Sequence, residues 1–395
     1  MKKRWVVRFT ALLAGSGLLA AAAMIADVGT ASALPHREAD DTIYVSPSGA
    51  RHNIGRSCQT ARYSTIQSGL RHAASDDTVV ACAGTYHEGV MLNRPVHLKG
   101  LDAVIDATGQ NVGVTIAASD TKVDGFTVEN ATGEGILAVG VSEVVIDSNV
   151  VENNNMGGPT STYRECRATG TVSGDCGEGI HLMGVSDSRV SANRVTDNQG
   201  GILLTDEAGA TFDNVITENS VQNNLVDSGI TLASHRPAAT EGRRGSGVFD
   251  NTIRKNSVLH NGLTGTRGGG VLLATPAPGT AVYDNDVAGN LIAENGLAGV
   301  TLRAHGRHQD LNGNTIHDNF IGPNNLAGEP PPPVGAGDPN LTGVLVYSAV
   351  VRVNVNISNN IIAFDTYGIW LSPTVDAEGL ATNHYLAVTT PVFVS

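Results

Sequence analysis

Apolar and polar residues alternate along most of this chain, in short runs punctuated by Gly and Asn. The alternation is clearest in a four-residue phrase: Gly, a branched aliphatic, any residue, then a second aliphatic. It reads Gly179-Ile180-His181-Leu182, Gly201-Ile202-Leu203-Leu204, Gly229-Ile230-Thr231-Leu232, Gly270-Val271-Leu272-Leu273 and Gly299-Val300-Thr301-Leu302. Looser copies begin at Gly113, Gly135, Gly343 and Gly368. A period of two describes a strand with its aliphatics on one face. The closest copies lie 22 residues apart, Gly113 to Gly135 and Gly179 to Gly201. That period predicts a solenoid in which each coil stacks on its neighbours.

A second pattern supports the first. Asn recurs five residues apart at Asn214 and Asn219, Asn251 and Asn256, Asn285 and Asn290, Asn314 and Asn319, with a third at Asn224, Asn261, Asn295 and Asn324. Asn tolerates the left-handed backbone of a sharp corner. In coils stacked about 4.8 Å apart, corner Asn side chains can bond to one another in a ladder. These Asn read as structural. Ahead of the repeats, residues 42–45 read as a strand. Residues 63–74 have helical spacing, with Ser64 as N-cap and Gln67 three residues on. Residues 78–82 read as a strand and 83–86 as a turn.

This cap carries a resemblance. Tyr63-Ser64-Thr65-Ile66-Gln67 and Ala73-Ala74-Ser75-Asp76-Asp77-Thr78-Val79-Val80-Ala81-Cys82-Ala83-Gly84-Thr85-Tyr86 resemble the amino-terminal cap of right-handed parallel β-helix proteins. These are the pectate-lyase-like superfamily, including the nitrous-oxide-reductase accessory type. The superfamily usually has Gly-Asp-Thr where this chain has Asp76-Asp77-Thr78. With the repeats, the resemblance covers roughly residues 42–372. It implies an all-β, right-handed parallel β-helix with an N-terminal capping helix. It does not choose among the lyases, hydrolases, epimerases and proteins of no known activity that share the fold. The expected organisation is a signal peptide at 1–33, a leader at 34–41, the cap at 42–100, the β-helix at 101–375 and a C-terminal cap or tail at 376–395.

Composition narrows the partners. The 395 residues include 47 Gly and only 4% aromatics, which suits many short strands and tight turns. Lys2, Lys3, Arg4 and Arg8 precede an apolar stretch, and Ala31-Ser32-Ala33 fits a small-x-small cleavage site. Export through this segment implies a secreted, extracellular protein with no membrane attachment after cleavage; a monomer is expected. The remainder carries 21 basic against 37 acidic residues, which argues against nucleic acid and anionic membrane as partners. An oxidising destination favours disulfides for the four Cys, and locality pairs Cys58 with Cys82 and Cys166 with Cys176.

Insertions fall only at the two corners flanking the glycine phrase, so its outward residues are the expected floor of a groove. Aligning coils at the Gly puts Glu207, His235, Pro276 and His305 at one position, with Arg236 adjacent and Arg303 on the floor. A lyase or epimerase acting on uronic acids needs a cation for the carboxylate and a base for the C5 proton. His235, Arg303, His305, Glu207 and Arg236 are the catalytic candidates. His181, Thr205, Tyr347 and Trp370 are the substrate-binding ones, the aromatics offering faces on which sugar rings stack. The hydrolase pattern Asn-Thr-Asp, Asp-Asp, Gly-His-Gly is missing. So are the pectate-lyase patterns Trp-Ile-Asp-His and Arg-x-Pro-x-x-Arg. No dense acidic box marks a Ca²⁺ site, so Ca²⁺ has only weak support and no cofactor is expected. The expected function is action on, or binding of, extracellular polysaccharide, lyase- or epimerase-like if catalytic. A non-catalytic surface-binding β-helix and an accessory factor for an exported metalloenzyme are the alternatives.

Overall fold

A computed structural model describes residues 42–48, 55–154, 177–235, 245–264, 268–328 and 336–395. The glycine phrases form one parallel sheet of 11 strands, from Val90–Leu92 to Thr390–Val394, called the glycine sheet below. Its register is unbroken: Ile180 lies beside Ile136 and Ile202, Val271 beside Ile230 and Val300. The other strands stack in the same parallel way around the coil. They join into a second sheet because His97–Asp106 and Lys122–Glu129 run around the corner between its two ladders. Three short strands, Thr211–Phe212, Val248–Phe249 and Val282–Tyr283, make a third. On them Phe212, Phe249 and Tyr283 stack at centroid distances of 5.2 and 5.0 Å.

Aliphatics from all sides fill the interior. Ile180, Ile202, Ile230, Val258, Ile292 and Leu302 are fully buried in one continuous core. Each such side chain contributes about 1.5–3 kcal/mol of burial.

The Asn ladders form as expected. One runs through Asn193, Asn219, Asn256 and Asn290, another through Asn198, Asn224, Asn261 and Asn295. Asn219 shows the complete pattern. Its N and Nδ2 donate to Asn256 Oδ1 at 3.0 Å, and Nδ2 also donates to Val190 O at 3.0 Å. Its Oδ1 accepts from Asn193. The left-handed residue, however, is the one before the rung: Ala192, Glu218, Lys255 and Asp318 have positive φ, and the Asn that follow them do not. The preceding residue makes the corner, which turns the Asn side chain inward to stack. The ladder also explains the glycine of the phrase. A Cβ on Gly229 would stand 2.4 Å from Val258 Cγ1 and 2.7 Å from Asn261 Nδ2.

Three expectations at the ends change. The helix is Ile66–His72, capped by Thr65 rather than Ser64: Thr65 Oγ1 accepts from Ser68 N at 3.1 Å. Glu88 accepts from the N–H groups of Ile66 and Gln67, satisfying two more donors of the first turn. Residues 83–86 contain a strand, Gly84–Tyr86, where a turn was expected. At the far end, where a cap or tail was expected, Val375–Glu378, His384–Leu386 and Thr390–Val394 each pair in parallel with the coil before and make a further coil. Cys58 and Cys82 form the expected disulfide. Cys166 and Cys176 lie outside the described residues.

Candidate functional site

The outward face of the glycine sheet is not an open floor. His181, Leu203, Thr301, Leu345 and Thr205 are each 2% exposed or less. Neighbouring strands bring these side chains into contact. Val112, Leu137 and Met183 form an apolar cluster at one end, and Leu345 and Trp370 with Tyr347, Tyr367 and Phe393 form another at the other. His181 and Thr205 therefore do not present themselves at an open surface. They are buried against each other, with His181 Nε2 2.8 Å from Thr205 Oγ1.

The face is more accessible between the two clusters. Leu272 and Ala274 are half-buried, as are Glu207, His235, His305 and Tyr347 around them. The register Thr205, Ala233, Ala274, Arg303, Tyr347 runs across five consecutive strands. Two alanines, the buried Ala233 and the half-buried Ala274, lie between the larger Thr205 and Arg303, which stand three strand spacings or about 14 Å apart; this low stretch is called the trough below. Two residues further on, Glu207 and His235 stand on one side and His305 on the other.

Glu207 and His235 form a close ion pair through Oε1 and Nδ1. Asp206, 3% exposed, fixes the same turn by accepting from His235 N at 2.7 Å and Ser234 Oγ at 2.8 Å. Burial works to raise the Glu207 pKa. The hydrogen bond and charge of His235, the charge of His181 and the Thr205 hydroxyl outweigh it and bring the carboxyl down to about 2. With Nδ1 committed to Glu207, the chemistry of His235 falls to Nε2. Across the trough, burial first and the Arg303 charge second push the His305 imidazole below its ordinary value of 6.5. His305 Nδ1 has no hydrogen-bond partner among the described residues, and its ring lies 5.2 Å from Tyr347. Tyr347, Trp370 and Phe393 continue the aromatic row at 6.5 and 6.2 Å. Trp370 is 7% exposed, so its face is largely covered by its neighbours. Arg236 lies outside the described residues.

Two residues were not among the expected site residues, although the sequence places Glu178 beside His181 on the same strand. Glu134 and Glu178, 1% and 3% exposed, sit beside His181. Each offers an atom that, with one of His181, lies within 4.8 Å of the others, a grouping able to hold a cation. Their signal was the repeated Glu-Gly-Ile of consecutive coils, Glu134-Gly135-Ile136 and Glu178-Gly179-Ile180.

The stacked parallel register, the glycine sheet and the Asn ladders define a right-handed parallel β-helix. Residues 112–286 match the family described as "Right handed beta helix region". The fold is similar to that of an alginate lyase from Paenibacillus sp. str. FPU-7, with 13% identity, 84% of this chain and 95% of that chain covered, and a TM-score of 0.46. It is similar to the pectate lyase Pel9A at 15% identity, covering 85% of this chain and 77% of that one, with a TM-score of 0.45. The A-module of mannuronan C-5 epimerase AlgE4 from Azotobacter vinelandii shows 17% identity over 84% of this chain and 93% of its own, with a TM-score of 0.46. No curated protein matches the sequence. At these identities the likeness is one of fold.

Proposed function

We propose that this chain is a secreted β-helix that acts on acidic extracellular polysaccharide by lyase or epimerase chemistry at the trough over Leu272 and Ala274. The observation that carries the reading is the flanking of that trough by two histidines in different surroundings, one paired with Glu207 and one beside Arg303. Opposed environments for two titratable groups separate acid and base roles. Arg303 offsets the uronate carboxylate, which acidifies the C5 proton. His305, held neutral by its surroundings, takes that proton. His235, its Nδ1 proton held by Glu207, delivers one from Nε2. In a lyase the C5–H and C4–O bonds break, a C4–C5 double bond forms, and the leaving oxygen receives the His235 proton. In an epimerase the C4–O bond stays intact and His235 delivers its proton to C5 from the face opposite His305, which keeps the proton it removed.

The leader sequence and the Cys58–Cys82 disulfide support secretion. The half-buried rings of Tyr347 and Phe393, either side of the covered Trp370, favour a second reading, glycan binding without turnover. Ultraviolet absorbance of unsaturated uronide, with proton NMR for inverted C5 centres, separates the two across a panel of acidic polysaccharides. Turnover that His305→Ala and Arg303→Gln abolish supports catalysis. Binding without turnover by the unmodified chain leaves the second reading.

A further inference from the structure

The accessible floor of the trough, Leu272 and Ala274, has no hydrogen-bonding side chain. Between the two apolar clusters one row of neighbouring residues runs Leu203, Thr231, Leu272, Thr301 and Leu345. In that row only Leu272 is half-buried. Thr231 and Thr301 beside it are 6% and 2% exposed, so their hydroxyls contribute almost nothing to the surface. In the adjoining row Ala274 is half-buried between the covered Ala233 and Arg303. Methyl groups are therefore what the floor presents, with the charged and polar groups standing around it.

An unsubstituted polyuronate fits such a floor badly. Its ring hydroxyls would lose their water there and gain no donor or acceptor in return, which is unfavourable for each of them. The apolar face of a sugar ring is ordinarily taken by an aromatic ring, and Tyr347 stands two strands away from Ala274. A methyl group on the substrate reverses the balance, because its burial against Leu272 and Ala274 is favourable. Two simple modifications of an acidic polysaccharide supply one: a methyl ester on the carboxylate, or a short acyl ester on a hydroxyl. The methyl ester removes the negative charge that Arg303 offsets in the proposed chemistry. The acyl ester leaves that charge intact and converts a hydroxyl, the group the floor cannot satisfy, into one that ends in a methyl. Alanine on two adjacent strands, at Ala233 and Ala274, leaves room for it.

We propose that the trough selects acidic polysaccharide carrying short O-acyl esters, acetyl in the simplest case, with the acyl methyl seated on Leu272 and Ala274 and the uronate carboxylate toward Arg303. The inference rests on the glycan reading above and names the substrate class of that same site. Leu272 and Ala274 are specificity-determining residues here, and the proton transfers stay with His305 and His235. The acyl group is bound and not cleaved. This gives the half-buried aliphatic of the glycine phrase, Leu272, a role that an unsubstituted polysaccharide does not.

The test gives the full chain acetylated polymannuronate, polygalacturonate and polyglucuronate, each before and after mild alkaline removal of its acetyl esters, so that the carboxylate charge is the same in both forms. Turnover is followed as unsaturated uronide and C5 inversion, and binding as Kd by calorimetry. For the polymer used best, the acetylated form should show a kcat/KM, or without turnover an affinity, about 10-fold or more above the deacetylated form. Leu272→Thr, which removes the methyl surface, and Ala274→Leu, which fills the space, should each bring that ratio toward one. Equal or better use of the deacetylated form overturns the proposal and leaves the glycan reading standing. A ratio undiminished in both folded variants overturns it too. Neither turnover nor binding with any of these polymers, in either form, overturns the glycan reading and the proposal with it. Should the variants not fold, the ratio in the unmodified chain decides.

Discussion

At the scale of single residues, His305 and Glu207 make opposite demands on pH. Burial and Arg303 depress the His305 pKa, so the neutral imidazole, the proposed base, persists below pH 6.5. The acid limb of kcat/KM should lie under that value. Arg303→Gln removes the second of the two causes, so the limb should move up while remaining below 6.5, and kcat/KM should fall by about 100-fold or more with the lost cation. A pH–rate profile of both proteins checks this. Glu207 has a folded pKa of about 2 against an ordinary 4.5. A depressed carboxylate stabilises the fold above its unfolded pKa and loses that contribution as pH falls toward its folded one. The stability difference between the unmodified chain and Glu207→Gln should therefore shrink between pH 4.5 and 2, as read by melting curves. Aligning the glycine phrases was enough to bring Glu207 and His235 together, because strand register carries sequence position directly into space. The burial of His181 and Thr205 was not legible. It depends on which side chains stand on the strands either side, up to 47 residues away for the Glu134–His181 contact.

At the scale of the element, the Asn ladder decides stability. Asn256 is 2% exposed and shares its amide with Asn219, Asn290 and Ile216. Asn256→Ala strands several buried partners and should lower stability by roughly 2–4 kcal/mol in denaturant titration. One rung is an acid. Asp365 follows Asn324 in its ladder, accepts from Asn324 N at 3.0 Å, and has no hydrogen-bond partner for Oδ2 among the described residues. Burial outweighs that hydrogen bond and pushes its pKa up to about 8 from 3.8. A raised carboxyl is penalised on ionising in the fold, so stability is lost as pH rises from about 4 to 8. Asp365→Asn restores the rung donor and should stabilise the protein progressively over that interval. Parallel stability–pH curves for the two proteins would contradict this. The five-residue Asn step was plain in the sequence. The corner conformation was not, because Lys255 or Glu218 gives no propensity signal for the left-handed backbone it adopts. The last coil passed unrecognised although its rung, Asn383, lies 23 residues beyond Asn360.

At the scale of the whole molecule, the β-helix was legible because one short phrase repeats with its register intact. The cap is fastened by Cys58–Cys82, which spans 24 residues. Cys58→Ser with Cys82→Ser should lower stability by about 3 kcal/mol, measured as a fall in the denaturant midpoint. What repetition cannot show is which third of a long face is chemically distinct. Here the outward face of the glycine sheet has apolar clusters toward both ends and, between them, a trough over Leu272 and Ala274 flanked by Glu207, His235 and His305. The most direct test of the account incubates the purified chain with polymannuronate, polyguluronate, polygalacturonate and glucuronate-containing polysaccharides, following unsaturated uronide in the ultraviolet and C5 inversion by NMR. The account predicts product from at least one of these, and none from folded His305→Ala or Arg303→Gln. Neither product nor binding with any acidic polysaccharide, from a chain shown to be folded, would contradict it.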